Sequence, residues 1–210
     1  MARHIYFDLD GTLTDPFVGI SRSIEYALER LGVPRPTDDE LRRFIGPPLL
    51  ESFAELVGSD ARYALELYRE RFGDVGWQEN EPYEGIHETL ASLKEQAVLF
   101  VATSKPRVYA ERIVEYFGMS PCFDTVYGAE LDGTRGDKTE LLAYALDLSP
   151  GHSAAVMIGD RRHDMIGARN NNMNAIGAAW GYGSIEELES AGAQSIAHAP
   201  TELKGLVTLS

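Results

Sequence analysis

The chain opens on an apolar run, Ile5-Tyr6-Phe7, that gives way to two carboxylates, Asp8 and Asp10, and then to Gly11. A run apolar at successive positions and too short for a helix predicts a parallel strand covered on both faces. Gly11 permits a sharp turn after it. Beyond Thr14 the period changes. Phe17, Ile20, Ile24, Ala27, Leu28 and Leu31 recur at helical spacing until Gly32-Val33-Pro34 stops them. Thr37 and Glu40 have the spacing of a capping box and predict a second helix start. Ile45-Gly46-Pro47-Pro48 breaks that helix, because proline restricts the residue before it and donates no backbone hydrogen bond. Further helical runs cover 49–57 and 60–72.

From Pro82 helix and strand alternate. The pattern predicts helices over 86–96, 108–117, 138–147 and 164–172, and strands over 97–102, 123–127, 154–158 and 175–178. Gly118 closes the second of these helices, and Ser184 with Glu187 forms another capping-box spacing before a last one. Such alternation predicts an α/β fold, a Rossmann-like doubly wound parallel sheet. Residues 1–14 and 82–210 form its core, and 15–81 form a small helical domain inserted after the first strand. Asp15-Pro16 and Glu81-Pro82 are stiff points suited to bound a hinge, so the insertion is expected to act as a mobile cap.

Composition narrows the partners. At 210 residues and 44% hydrophobic, the chain can bury one good core and a small accessory module. A net charge of -14 disfavours a nucleic-acid polymer and an anionic membrane as partners. No apolar run approaches membrane-spanning length, and no signal-peptide core precedes the first strand. The single cysteine, Cys122, forms no intrachain disulfide, which suits a reducing compartment. The expectation is a cytoplasmic protein; oligomeric state is not legible.

The candidate chemistry lies at strand ends, where open parallel sheets bind their ligands. Asp8 and Asp10 are either acid–base groups or a polar turn. A calcium loop would need its glycine two positions later and a glutamate where Gly19 stands. Thr103 and Ser104 follow a strand and are either hydroxyl donors to an anion or ordinary turn residues. Lys105 is undecided between substrate contact and solvated surface. Lys138 opens a helix, and Gly159-Asp160-Arg161-Arg162-His163-Asp164 joins a strand to the next helix.

In this order, Asp8-Leu9-Asp10-Gly11-Thr12, Thr103, Lys138 and Gly159-Asp160 with Asp164 resemble the four motifs of the haloacid dehalogenase superfamily. The resemblance covers essentially the whole chain. It implies an enzyme that hydrolyses phosphate esters through an aspartyl-phosphate, with Asp8 as nucleophile and Asp10 as the acid and then the base. Thr103 would hold a phosphoryl oxygen, with Ser104 as a neighbouring substrate contact, and Lys138 would neutralise the developing charge. Magnesium would take Asp8, the backbone carbonyl of Asp10, and Asp160, with Asp164 supporting directly or through water. Charge counting agrees. Four carboxylates face a dianionic phosphate, Lys138 cancels one charge, and a divalent cation cancels two more. His163 is expected to be solvated or to face the cap, since hard cations favour oxygen and His4, His87, His152 and His198 form no ligand spacing. Arg161 and Arg162 are expected to be surface charges.

Within the superfamily Asp10 argues against dehalogenases, the lysine-free insertion against phosphonoacetaldehyde hydrolases, and the absence of membrane helices against transporting ATPases. The segment Arg42–Pro48 resembles phosphoglycolate phosphatase-like members. Gly136-Asp137-Lys138, Arg161 and Gly181-Tyr182-Gly183-Ser184 look more like a bacterial 5′-nucleotidase branch. A nucleoside 5′-monophosphate is therefore placed ahead of phosphoglycolate, with a sugar phosphomutase and a catalytically silent phosphate-binding protein as alternatives. Phe17, Phe44 and Ile45 would offer a nucleoside apolar surface, and Arg43 would offer a carboxylate a fork of donors.

Overall fold

The computed structural model describes residues 3–150 and 154–209. His152 lies outside them. The chain divides into two compact units, Met1–Thr14 with Pro82–Ser210, and Asp15–Glu81. β1 (Arg3–Phe7) begins the first unit, with Ile5, Tyr6 and Phe7 wholly buried. The chain passes between units through β2 (Thr14–Asp15) and β3 (Glu81–Pro82), which pair as a two-stranded sheet.

The Asp15–Glu81 unit holds α1 (Phe17–Arg30), α2 (Asp38–Arg42), α3 (Leu49–Val57) and α4 (Ala61–Asp74). The i, i+3 and i+4 stripe of α1 buries Ile20, Ile24, Ala27 and Leu28. The wholly buried Phe53 of α3 has its ring 6.4 Å from that of Phe44 and 6.2 Å from that of Tyr68. At α2 both halves of the capping box form: Glu40 N donates to Thr37 Oγ1 (3.3 Å), and Thr37 N donates to Glu40 Oε2 (2.8 Å).

The other unit continues with α5 (Ile86–Lys94), β4 (Ala97–Pro106), α6 (Arg107–Tyr116), β5 (Thr125–Ala129), α7 (Lys138–Leu148) and β6 (Ala155–Gly159). It ends with α8 (Arg162–Asn170), β7 (Asn174–Ala178), α9 (Ile185–Ala191), β8 (Ser195–Ala197) and α10 (Leu203–Leu209). The six-stranded sheet runs β5-β4-β1-β6-β7-β8, parallel throughout. Phe7 is level with Val101 on one side and Ile158 on the other. Residues that follow these three therefore emerge side by side at one sheet edge.

Several boundaries differ from the sequence pattern. β4 runs to Pro106 rather than Ala102, because its end keeps pairing with β5 after a register shift between Thr103 and Pro106. β5 starts at Thr125 rather than Phe123, after a 3-10 turn over Ser120–Cys122. α8 starts at Arg162, since the Asp164 carboxylate accepts from Arg161 N (3.1 Å) and closes its first turn. At α9 only half of the capping box forms. Ser184 Oγ accepts from Glu187 N (3.1 Å), but the Glu187 carboxylate is drawn away to Arg162 N (2.9 Å) and Arg161 Nε (3.1 Å). β8 and α10 carried too little periodicity to be predicted.

Candidate active site

The three central strands deliver the acids and the hydroxyl. Asp8 follows β1, Thr103 lies in β4 beyond Val101, and Asp160 follows β6. Lys138 is the first residue of α7, and Asp164 lies in the first turn of α8. Lys138 Nζ stands 3.1 Å from Asp8 Oδ1 and 2.8 Å from Asp164 Oδ1, and donates to the Ala102 carbonyl at 2.8 Å. Burial opposes the charge on this ammonium, but Asp164 and Asp8 outweigh it and hold its pKa above the usual lysine value. Asp8 Oδ1 also accepts from Leu9 N at 2.8 Å.

Asp160 is wholly buried and held from two directions. Thr12 Oγ1 donates to Oδ1 (3.2 Å), and Tyr182 N donates to Oδ2 (2.8 Å). Gly183 N bonds to its carbonyl (3.1 Å), while Trp180 Nε1 donates to the Thr12 carbonyl (3.0 Å) and ties that loop to the first. Glycine is required where these loops meet: a Cβ at Gly11, whose φ is +85°, would lie 2.2 Å from Asp160 Oδ2.

Asp8, Asp160 and Asp164 bring ligand oxygens within 4.8 Å of one another. Burial first, then the neighbouring Asp8 carboxylate, pushes Asp160 well above the carboxylate range. Burial pushes Asp164 up to about 6 against the pull of Lys138. A buried, oxygen-only set whose repulsion Lys138 relieves only in part fits a hard divalent cation. The Asp10 carboxylate is not part of that trio. Its Oδ2 accepts from Lys105 Nζ at 2.6 Å, and burial raises its pKa, opposed by Lys105.

Thr103 is buried, and its Oγ1 accepts from Lys105 N (3.2 Å), an arrangement that leaves the hydroxyl proton to donate elsewhere. Ser104 is half-buried. In the helical unit Arg43 is exposed, and Phe17 is half-buried with the Arg42 guanidinium 4.3 Å above its ring. Phe44 and Ile45 correct an expectation. Both are buried, Phe44 against Phe53, because apolar side chains around the Gly46-Pro47-Pro48 break gain more from packing than from solvent.

Other expectations also change. Lys105 is no solvated residue: its side chain is 5% exposed and paired. His163 is half-buried, so of the two alternatives full solvation is set aside; its Nε2 is buried and unpartnered among the described residues, burial lowers its pKa, and Arg162 and Arg161 add to that. Arg161 is largely buried against Glu187, whereas Arg162 is exposed. The charge count gains a second lysine. Lys105 had one available signal, its place two residues after the strand-end threonine in a chain with four lysines. Gly181 to Gly183 had a weaker one, a glycine pair beyond the last long strand.

Residues 5–178 match the model of the haloacid dehalogenase-like hydrolases. A Pseudomonas aeruginosa 5′-nucleotidase is 47% identical over 94% of this chain and 89% of its own. The Mycobacterium tuberculosis protein named tyrosine-protein kinase PtkA is 38% identical over 94% of this chain and 69% of its own, and a Caulobacter vibrioides phosphoglycolate phosphatase is 30% identical over 98% and 91%. The crystal structure of a predicted phosphatase from Clostridium acetobutylicum superimposes with a TM-score of 0.93, at 40% identity and covering 100% of both chains. The chain belongs to the haloacid dehalogenase-like hydrolase family, as an enzyme of its phosphatase type.

Proposed function

We propose that the chain is a magnesium-dependent phosphomonoester hydrolase working through an aspartyl-phosphate on Asp8, with nucleoside 5′-monophosphates ahead of phosphoglycolate as substrates. The observation that carries this reading is the Asp8 carboxylate at the end of a central strand, paired to the buried Lys138 and grouped with Asp160 and Asp164. A carboxylate so placed attacks phosphorus and splits one hard displacement into two easier ones. As the ester P–O bond breaks, Asp10 gives its proton to the leaving oxygen. Asp10 then takes a proton from the water that attacks the aspartyl-phosphate, releasing inorganic phosphate and restoring Asp8. Lys138 offsets negative charge on Asp8 and on the transferring group, while Thr103 donates its hydroxyl proton to a phosphoryl oxygen. Magnesium, held by Asp8, the Asp10 carbonyl and Asp160 with Asp164 in support, would supply positive charge for the phosphoryl oxygens.

The nucleotide preference is supported by the 47% identical relative named 5′-nucleotidase. Phosphoglycolate is the second reading, supported by the exposed Arg43 and by a relative of that name. In this proposal the Asp15–Glu81 unit is the cap that selects the leaving group. No helix among the described residues is long and apolar enough to cross a membrane, and the lone Cys122 supports a reducing, cytoplasmic setting.

The test is phosphate release from nucleoside monophosphates, phosphoglycolate, sugar phosphates and an aryl phosphate, with magnesium or with chelator. Release that needs magnesium and vanishes in Asp8→Asn is expected, with kcat/KM ranking the substrates. Release from every substrate unchanged by Asp8→Asn or by chelator would refute the reading.

A further inference from the structure

We propose that Lys105 is a positioning residue for Asp10, anchoring one carboxyl oxygen so that the other is the oxygen that exchanges the proton. This rests on the acid–base reading of Asp10 given above. Lys105 Nζ lies 2.6 Å from Asp10 Oδ2, with the two side chains 5% and 13% exposed. Asp10 Oδ1 is buried and has no hydrogen-bond partner among the described residues. The carboxyl group is thus divided, one oxygen held by the ammonium and the other buried with its hydrogen-bonding capacity unused.

The sheet is shaped to deliver this contact. Thr103 is level with Gly128, yet Pro106 is level with Ala129, so β4 spends Ser104 and Lys105 on a bulge that β5 does not match. Bulges beside active sites re-aim side chains. The bulge leans on the edge strand where that strand has no side chain: a Cβ on Gly128 would lie 2.7 Å from Arg107 Cα and 2.9 Å from the Lys105 carbonyl oxygen. A buried, paired lysine gives up most of its rotamer freedom, and a surface role would not need that ordering. Holding a carboxyl group in one rotamer matters most for proton transfer, which works only within hydrogen-bond reach of the leaving oxygen.

The experiment compares kcat/KM on p-nitrophenyl phosphate, whose leaving group departs without a proton, with that on an alkyl phosphate, whose leaving group needs one. Asp10→Asn should lose about 10²-fold or more on the alkyl ester and far less on the aryl ester. Lys105→Met should show the same selectivity, with a loss of about 10-fold or more on the alkyl ester, and Lys105→Arg should recover most of it. The double variant should discriminate no more than Asp10→Asn alone, because the lysine acts through the aspartate. Thermal melts accompany each variant. Gly128→Ala keeps the ammonium but displaces the bulge, and should give the selective loss independently.

Equal loss of both substrates in Lys105→Met and Gly128→Ala would overturn the proposal while leaving Asp10 as the acid. A further selective loss in the double variant would overturn it too. If Asp10→Asn itself fails to discriminate, the acid–base reading falls and the positioning role falls with it.

Discussion

Gly181→Ala should weaken metal binding without replacing any ligand. The φ of Gly181 is not positive, so its backbone accepts alanine and the whole effect is one of space. A Cβ there would lie 2.3 Å from Asp160 Cβ, 2.3 Å from the Gly11 carbonyl oxygen and 2.5 Å from Asp160 Oδ2. Ordinary contact begins near 3.4 Å, so something must move by about 1 Å. The Gly11 oxygen is backbone at the Asp10–Thr14 turn, which leaves Asp160 and the 181–183 loop to give. Either movement stretches the Tyr182 N to Asp160 Oδ2 bond, which is 2.8 Å long. Overpacking of this kind costs about 1–3 kcal/mol, and loss of groups that orient a ligand weakens metal sites about 10–100-fold. The assay is calorimetric titration with manganese as probe ion, alongside the magnesium dependence of phosphate release. Gly205→Ala is the control, because a Cβ there meets nothing within 4 Å. A folded Gly181→Ala protein that binds manganese as tightly as the parent would refute the argument that this loop positions Asp160.

Lys138→Met leaves the buried Asp8 and Asp164 carboxylates facing one another without their shared cation, and should cost about 3–5 kcal/mol in thermal or denaturant unfolding. Turnover should fall about 10²-fold or more, and Lys138→Arg should not restore it, because a planar guanidinium does not match the compact ammonium that meets Asp8, Asp164 and the Ala102 carbonyl at once. Arg43→Ala should reorder substrates by kcat/KM while turnover of an aryl phosphate stays within about 2-fold; equal loss on every substrate would remove Arg43 from recognition. Thr37→Ala removes the side-chain half of the α2 capping box and should lower stability by about 1 kcal/mol, read as a drop of a few degrees in Tm with catalysis unchanged.

The order of strands and helices short of β8 and α10, and the placing of Asp8, Thr103, Lys138, Asp160 and Asp164 at element ends, were legible because hydrophobic periodicity marks those ends. In a parallel sheet those ends gather at one edge whatever the side chains between them do. The capping box at Thr37 was legible for a similar reason: its partners are three residues apart. The same spacing at Ser184 was only half true, since Glu187 found better donors in Arg161 and Arg162, which reach it from another helix.

Other features depended on residues far apart in the chain. Lys105 meets Asp10 across 95 positions, from a bulge that β4 makes against a glycine in β5. Phe44 and Ile45 looked available for a ligand until Phe53 was placed beside the first of them. Gly181 and Gly183 carried no chemistry in sequence, yet they let backbone close around Asp160. By itself, then, the sequence determined which groups stand at the sheet edge, because local periodicity sets the strand ends. Only the tertiary structure decided which of those groups touch, because close approach depends on packing that adjacent residues do not encode.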